Sequence, residues 1–405
     1  MSKQNSFCMF TRVLLPVLSV GVFALSSSAQ TMTILPGFPD SGPVWSVPNA
    51  ISGDGSVIVG VISINQLSNP AYWTQGSLAQ WIPGVSNYGS PRGVSHDGSV
   101  IVGDNFGIAF RWTANGGTQN LGNIPSGWWS CANGVSGDGS VVVGIGNIVD
   151  EYNQAWNSAY RWSASTGMQS IGTIAQGSHS NALGVNFDGS VIVGESYNQA
   201  FRWTSASGMV GLGFIAGQSS SLASAINGDG SIIIGYSGQS GFQWTSTGGM
   251  QSLTGAWAGS YRPRALTPDG SVIVGAHAIN SSWTAMVWAE SNTAITLGEY
   301  LSAHGVSLTG WSSLTDARGI SANGRYIVGY GVYEGQQRGF VADIGTIPCL
   351  GDITGNNVVN AVDLAIVLSA WGSSGGEFAG TDINQDGIVN ATDLTALLSS
   401  WGPCQ

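Results

Sequence analysis

Ile51-Ser-Gly-Asp-Gly-Ser-Val-Ile-Val-Gly60 is the phrase on which the reading of this chain turns. It returns as Val94-Ser-His-Asp-Gly-Ser-Val-Ile-Val-Gly103, then around Asp138, Asp188, Asp229 and Asp269. An altered form, Ile320-Ser-Ala-Asn-Gly-Arg-Tyr-Ile-Val-Gly329, closes the series at seven copies. Successive Asp (or Asn323) positions lie 43, 41, 50, 41, 40 and 54 residues apart. A period of this length marks a repeat architecture, because one unit buries its apolar faces only against its neighbours. Within a copy, Asp-Gly is a two-residue hairpin signal, both residues tolerating positive φ. Val-Ile-Val is β-branched and suits a buried strand, and the Gly that ends it permits a bulge or a sharp exit.

A second phrase follows in each copy: Ala109-Phe-Arg-Trp112, Ala159-Tyr-Arg-Trp162, Ala200-Phe-Arg-Trp203 and Gly241-Phe-Gln-Trp244. Looser forms end at Trp73 and Trp288, and Gly339-Phe-Val-Ala342 has lost its Trp. A third phrase reads Gly117-Thr-Gln-Asn-Leu-Gly122, Gly167-Met-Gln-Ser-Ile-Gly172 and Gly249-Met-Gln-Ser-Leu253. About four short strands per copy make one blade, so residues 30–347 are expected to form an all-β, seven-bladed β-propeller. The seventh copy runs out before its third phrase. Thr31-Met-Thr-Ile-Leu-Pro-Gly37 resembles that phrase and is expected to complete the last blade. The alternative is an open solenoid, which needs capping units. The recurring phrases resemble the HAF repeat of secreted bacterial proteins over residues 45–345. That resemblance implies a fold and brings no defined activity.

Charged residues make up 8% of the chain, hydrophobic ones 43%, and there are 61 Gly, which suits a turn-rich β protein rather than disorder. The formal net charge is −11 and Lys3 is the sole lysine, which argues against a nucleic-acid partner. Val13 to Leu25 is an apolar run behind Lys3 and Arg12, too short to span a bilayer, and Ser27-Ser-Ala29 follows. Residues 1–29 are therefore expected to be a secretory signal peptide. No later run reads as a transmembrane segment, so a secreted, extracellular or cell-surface protein is expected. Cys349 and Cys404 bracket the last segment and are expected to pair, leaving Cys131 as a small buried residue.

No catalytic signature emerges. The Ser-x-Asp-Gly-Ser phrase departs from the Asp-box of sialidases, since here Asp and Gly are adjacent; these Asp residues are expected to shape turns. Other acids, among them Asp104, Glu195 and Asp316, share no motif. His96, His179, His277 and His304 stand apart, without His-Glu-x-x-His or Gly-x-Ser-x-Gly. The repeat tryptophans read as packing between sheets. Aromatics in the spacers, Trp128, Trp129, Trp156, Trp257, Tyr261 and Trp311, are candidates to contact an extracellular glycan or protein.

Composition changes at Cys349. Asp382-Ile-Asn-Gln-Asp-Gly-Ile-Val-Asn-Ala-Thr-Asp393 places oxygen side chains at loop positions 1, 3, 5, 9 and 12, with Gly387 at position 6. A hard cation such as Ca2+ requires that oxygen density and that sharp turn. The expected ligands are Asp382, Asn384, Asp386, the Ile388 carbonyl, Asn390 and Asp393. A weaker copy offers Asp352, Thr354, Asn356, the Val358 carbonyl, Asn360 and Asp363. Leu394, Leu397, Leu398 and Trp401 then recur at helical spacing. This duplicated loop-helix pattern resembles a type I dockerin, taken to span residues 348–405. The resemblance implies calcium-dependent docking to a cohesin-like or cell-surface protein through Ala361, Val362, Ala391 and Thr392, although the family's usual Ser-Thr pair is absent. The expected function is a non-enzymatic binding or surface protein with a docking tail. The alternative is a component of extracellular polysaccharide degradation, a glycan-binding or glycoside hydrolase propeller attached by its dockerin.

Overall fold

The computed structural model describes residues 30–39, 45–64, 66–74, 76–149, 152–175, 179–255, 257–279, 282–289, 293–345, 351–353, 358–373, 381–384 and 387–403. Each repeat folds as a four-stranded antiparallel meander. In blade one, Trp45–Ile51 pairs with Val57–Ile64, then Leu67–Thr74, then Gln80–Trp81. The innermost strands of blades two to six are Ser90–Val94, Ser130–Val135, Ser180–Val185, Ser221–Ile226 and Ser260–Leu266. Blade seven takes Trp311–Ile320, Tyr326–Tyr333 and Gln336–Asp343 from late in the repeats, and its outer strand, Thr31–Ile34, from before them. Thr31 lies opposite Asp343 and Ile34 opposite Phe340. The protein is a seven-bladed β-propeller, and the early strand closes the ring as expected. The outer strands of blades five and six also form a short parallel pair, with Thr254 opposite Thr293.

The Asp-Gly turn differs from expectation. Gly55 N donates to Ser52 O at 2.9 Å, and Ser52 N to Val57 O at 2.8 Å, so the turn spans four residues. Only the Gly takes positive φ, +76° at Gly55, while Asp54 does not. The Asp works through its side chain instead: Asp54 Oδ1 accepts from Ser52 Oγ at 2.5 Å and Ser56 N at 2.9 Å. The first turn residue completes the lock, Ser52 Oγ accepting from Val57 N at 2.9 Å. Asn186 and Asn227 do the same in blades four and five, each accepting from the residue five further on. Two-residue turns with both φ positive occur elsewhere, at Phe106-Gly107 and Tyr197-Asn198, between second and third strands.

The Gly after Val-Ile-Val does not end its strand. It faces a bulge in the innermost strand, where pairing skips one residue, as between Pro48 and Ala50 opposite Gly60. The bulged carbonyl comes so close that a Cβ on Gly144 would lie 2.0 Å from Cys131 O, and one on Gly194 2.0 Å from Asn181 O. All seven copies share this bulge. A bulge re-aims the side chain it inserts.

Blades join along two seams. Large apolar side chains fill the space between sheets: Trp112 packs with Phe110 and Ile101 of its own blade and Val59 and Ile82 of blade one. Trp73 and Trp288 are fully buried, and Trp112 and Trp162 nearly so, which bears out the packing role of the repeat tryptophans. At the Asp-Gly end, backbone bonds run from blade to blade. Asp54 N donates to His96 O, His96 N to Gly137 O, Asp138 N to Phe187 O, Phe187 N to Gly228 O and Ala322 N to Gly53 O, all between 2.8 and 3.1 Å.

Two departures account for the longest gaps between copies. Residues 148–149 and 155–158 extend blade three's hairpin, with Ile148 opposite Trp156. Helix α1 (Leu297–Ala303) sits between blades six and seven, started by a Thr296–Glu299 capping box and buried through Leu297, Tyr300 and Leu301. The Thr-x-x-Glu spacing was a legible signal for it.

Beyond residue 350 the chain forms α2 (Ala361–Ser369) and α3 (Ala391–Ser399). Each opens with an Asn cap, Asn360 or Asn390, and a capping box closed by Asp363 or Asp393. Val359, Val367, Ala370, Ile383, Val389 and Leu397 make the core. Leu394, Leu397 and Leu398 fall on α3 as their helical spacing leads one to expect, whereas Trp401 lies beyond its end; Leu397 is buried, and Leu398 and Trp401 are half exposed. No helix among the described residues is long and apolar enough to cross a membrane. The expected signal peptide and the Cys349–Cys404 pair lie outside the described residues.

Candidate functional site

The innermost strands enclose a central channel. One apolar residue per blade, at the position before each turn, forms a collar; six of them, Val94, Val135, Val185, Ile226, Leu266 and Ile320, line cavities on both sides of it. On the turn side, Gly53, His96, Gly137, Phe187, Gly228, Pro268 and Ala322 surround the mouth. On the other side a chamber of about 620 Å3 is lined by the bulge residues Asn49, Arg92, Asn133, Leu183, Ser224, Arg264 and Arg318. Some of these tie neighbouring blades together. Asn49 Nδ2 donates to Pro91 O at 2.8 Å, Asn133 Nδ2 to Ala182 O at 2.8 Å, and Ser224 Oγ to Pro263 O at 2.7 Å. The arginines instead meet carboxylates. Arg264 Nη2 and Arg318 Nε reach the buried Asp316 at 3.0 and 2.7 Å, and Arg92 Nη2 reaches Asp104 at 3.1 Å. Arg262 also lines the chamber, with its guanidinium 3.9 Å from the centre of the Tyr236 ring.

Sequence reading missed this constellation, though a signal was present. Each innermost strand carries Pro or Ala, one free position, Gly or Ala, then Ile, Val or Leu: Pro48-Asn-Ala-Ile51, Pro91-Arg-Gly-Val94, Ala317-Arg-Gly-Ile320. The free position between fixed neighbours is the one the bulge turns toward the channel.

The other candidate residues scatter. Among the described residues no three His, Cys, Asp or Glu side chains come together, so a cation held here would draw on amide and carbonyl oxygens as well. His277 is buried, its Nε2 at 3.1 Å from Ala258 O, and burial lowers its pKa. Cys131 is buried too; burial pushes its thiol up to about 12, which makes it a poor nucleophile. Of the spacer aromatics, Trp128 is 61% exposed and Trp257 38%. Tyr261 is a correction: it is buried against His277 and Trp288. Trp311 packs edge-on to Tyr333 and Phe340. Tyr88, Phe106, Tyr152 and Tyr197, not anticipated, are more than half exposed.

In the tail, Asp393 is wholly buried at the start of α3. Its Oδ1 accepts from Ile383 N at 2.7 Å and Asn384 N at 3.1 Å, and its Oδ2 from Asn390 N at 2.9 Å. Burial opposes its charge, but the amides of Asn390, Asn384 and Ile383 prevail and hold its pKa below the usual carboxylate value. It is therefore a buried anion, and residues 348–405 contain six acids and no Lys, Arg or His to neutralise them. Buried charge of one sign calls for a counter-ion. Asp382, Asn384, Asn390, Asp393 and the Ile388 carbonyl, in a loop that Gly387 turns at φ +92°, supply the oxygen types a hard cation takes; Asp382 Oδ2 accepts from Gly387 N at 2.8 Å and Ile388 O from Asn390 Nδ2 at 3.0 Å. The residues fit calcium. In the first loop Asp352, Asn360 and the buried Asp363 hold the matching places; Thr354, Asn356, Asp386 and the Val358 side chain lie outside the described residues. Asn360 and Asn390 also spend their Oδ1 on capping the helices, accepting from Val362 N and Thr392 N at 2.8 Å. Ala361, Val362, Ala391 and Thr392 stand exposed at the helix starts.

The sequence of this tail matches a known domain. Residues 350–399 match the model of the dockerin type I domain. Dockerin domains bind cohesins and occur in extracellular proteins. The propeller is similar in fold to an oligogalacturonate lyase from Vibrio parahaemolyticus: TM-score 0.53, 14% identity, 77% of this chain and 93% of that one covered. A second oligogalacturonate lyase structure, in complex with manganese, matches with TM-score 0.50 and 14% identity over 77% and 90% of the two chains. TolB from Acinetobacter baumannii gives TM-score 0.39 and 12% identity over 73% and 65%. At such identities the likeness concerns the fold. No curated protein matches the chain.

Proposed function

We propose that this protein is an extracellular, non-enzymatic binding module, exported by residues 1–29 and held by its dockerin domain on a cohesin-bearing partner in a calcium-dependent way. The observation that carries the reading is the apolar surface of the tail. Exposed large apolar side chains point to an interaction surface when they gather in a patch instead of standing singly. Here Leu368 and Trp371 after the first loop, and their counterparts Leu398 and Trp401 thirty residues on, are each about half exposed. Val362, at the first helix start, is 56% exposed. Duplicated loops, each organised around a buried Asp, present these side chains, so loss of the cation disorganises the surface that docks. The propeller supplies the cargo function.

The test uses the full chain, captured on a panel of immobilised cohesins in calcium and in chelator. Capture in calcium that is abolished by chelator, and weakened by Trp371→Ala with Trp401→Ala, supports the reading. Absence of capture across the panel, or capture indifferent to chelator, contradicts it. The second reading, polysaccharide degradation by the propeller itself, draws on the likeness to oligogalacturonate lyase. A glycan panel that includes galacturonate oligomers separates the two: turnover favours degradation, binding without turnover favours the module.

A further inference from the structure

The channel of the propeller concentrates a charge the rest of the molecule avoids. The chain carries a formal net charge of −11 and eleven Lys and Arg residues in all. Four of them, Arg92, Arg262, Arg264 and Arg318, line the one chamber above the collar. Arg264, Arg318 and Arg92 occupy the bulge positions of blades six, seven and two, with Asn49 of blade one among them. Guanidinium groups and an amide thus run around four consecutive blades. The bulge positions of the other three blades, Asn133, Leu183 and Ser224, are uncharged.

Internal pairing accounts for only part of this. Among the described residues, two carboxylates meet these arginines, Asp104 and Asp316. Four cations against two anions leave an excess of two positive charges in a confined space, and such a cavity concentrates anions. The pairs also leave donors unused. Arg264 spends Nε and Nη2 on Asp316, Arg318 spends Nε, and Arg92 spends Nε and Nη2 on one oxygen of Asp104. The three side chains remain 36%, 28% and 46% exposed. Asp316, 3% exposed, holds the guanidinium groups of Arg264 and Arg318 in place and so preorganises the arc. Ser90, which opens its innermost strand, lines the chamber, whereas the turn residues line the opposite cavity. The chamber therefore faces the side of the blade-to-blade connections and of the exposed Phe106 and Tyr197.

We propose that this chamber is a binding site for a small, multiply charged oxyanion, bearing carboxylate or phosphate groups that the guanidinium forks hold by charge-assisted hydrogen bonds. The assignment rests on the reading of the propeller as a binding module, and names where on it the ligand sits and what chemistry it carries.

The test is calorimetric titration of the full, calcium-loaded chain with succinate and with glucose 6-phosphate, at low and at physiological ionic strength, with glucose as the uncharged control. Neither anion strips calcium from the tail as a strong chelator does. Saturable binding of either anion, weakened by salt and reduced about tenfold in Arg92→Gln, is the expected result. Succinate alone assigns carboxylates, glucose 6-phosphate alone assigns phosphates, and both together assign oxyanions at large. Arg264→Gln serves as the second variant, since it leaves Arg318 on Asp316, and a melting curve checks each fold. Absence of binding by both anions, or binding unchanged in both variants, overturns the assignment. If the glycan panel then finds a neutral ligand with equal affinity for wild type and variants, the binding-module reading stands and the chamber assignment alone falls.

Discussion

At Asp97 in the propeller, the carboxylate accepts from Ser95 Oγ at 2.7 Å and Ser99 N at 3.0 Å. At Asp393 in the tail, three amides converge on a wholly buried carboxylate within a segment that has no basic residue. Both acids accept backbone N–H bonds, Asp97 in a turn and Asp393 in the first turn of α3, and both have lowered pKa values. The propeller Asp lies at the surface, where Ser95 and Ser99 answer it and water screens the rest. The tail Asp is one of six acids in residues 348–405, which hold no Lys, Arg or His to answer it. What separates the two acids is therefore burial, together with the lack of any Lys, Arg or His in the tail segment.

The comparison can be broken most forcefully from the propeller side. Trp73 is buried, and its indole Nε1 donates to Pro36 O at 2.8 Å. Trp73→Ala is expected to cost the propeller about 3–5 kcal/mol, read as a lower denaturant midpoint, with calcium uptake by the tail unchanged. From the tail side, Asp393→Ala should weaken calcium binding by on the order of a hundredfold or more, since even outer partners of metal ligands are worth ten- to a hundredfold. Calcium titration reads it, and the propeller's unfolding should not move. Gly144→Ala drives a Cβ against the Cys131 carbonyl and should destabilise the propeller by roughly 1–3 kcal/mol. Equal stability of that variant would mean the bulge is not rigid.

The smallest effect concerns the turns. Ser95→Ala removes a donor to Asp97 and an acceptor for Val100 N, at a cost of about 1 kcal/mol. The pKa of Asp97 in the folded chain is depressed, first by the Ser95 hydroxyl and then by the Ser99 amide. Its contribution is present above the unfolded value near 3.8 and disappears as pH falls through the lower folded value. The deficit of Ser95→Ala should therefore be full at neutral pH and shrink below about pH 4. A deficit that grows on acidification would reverse the assigned role.

Legibility followed the range of the interactions. The seven copies, the strand Thr31–Ile34 that closes the ring and the acid loops of the tail depend on local pattern, and sequence alone displayed them. The turn geometry was misread because Asp-Gly favours two turn types, and the choice fell to Ser52 and its equivalents, whose side-chain oxygens span five residues. The need for Gly60 and its six equivalents was half seen: glycine signalled a bulge, but the bulge lies in the partner strand, which only pairing reveals. Arg92, Arg264 and Arg318 were passed over for the same reason. They lie 54 to 226 residues apart, and closure of the ring is what sets them around one chamber.

The account as a whole holds that a metal-independent ring and a metal-dependent docking domain share one chain. Differential scanning calorimetry of the full chain, in calcium and again in chelator, tests this most directly. The prediction is one large transition, unmoved by chelator, and one small transition present only with calcium. A large transition that shifts with calcium, or a small one indifferent to it, would contradict the account.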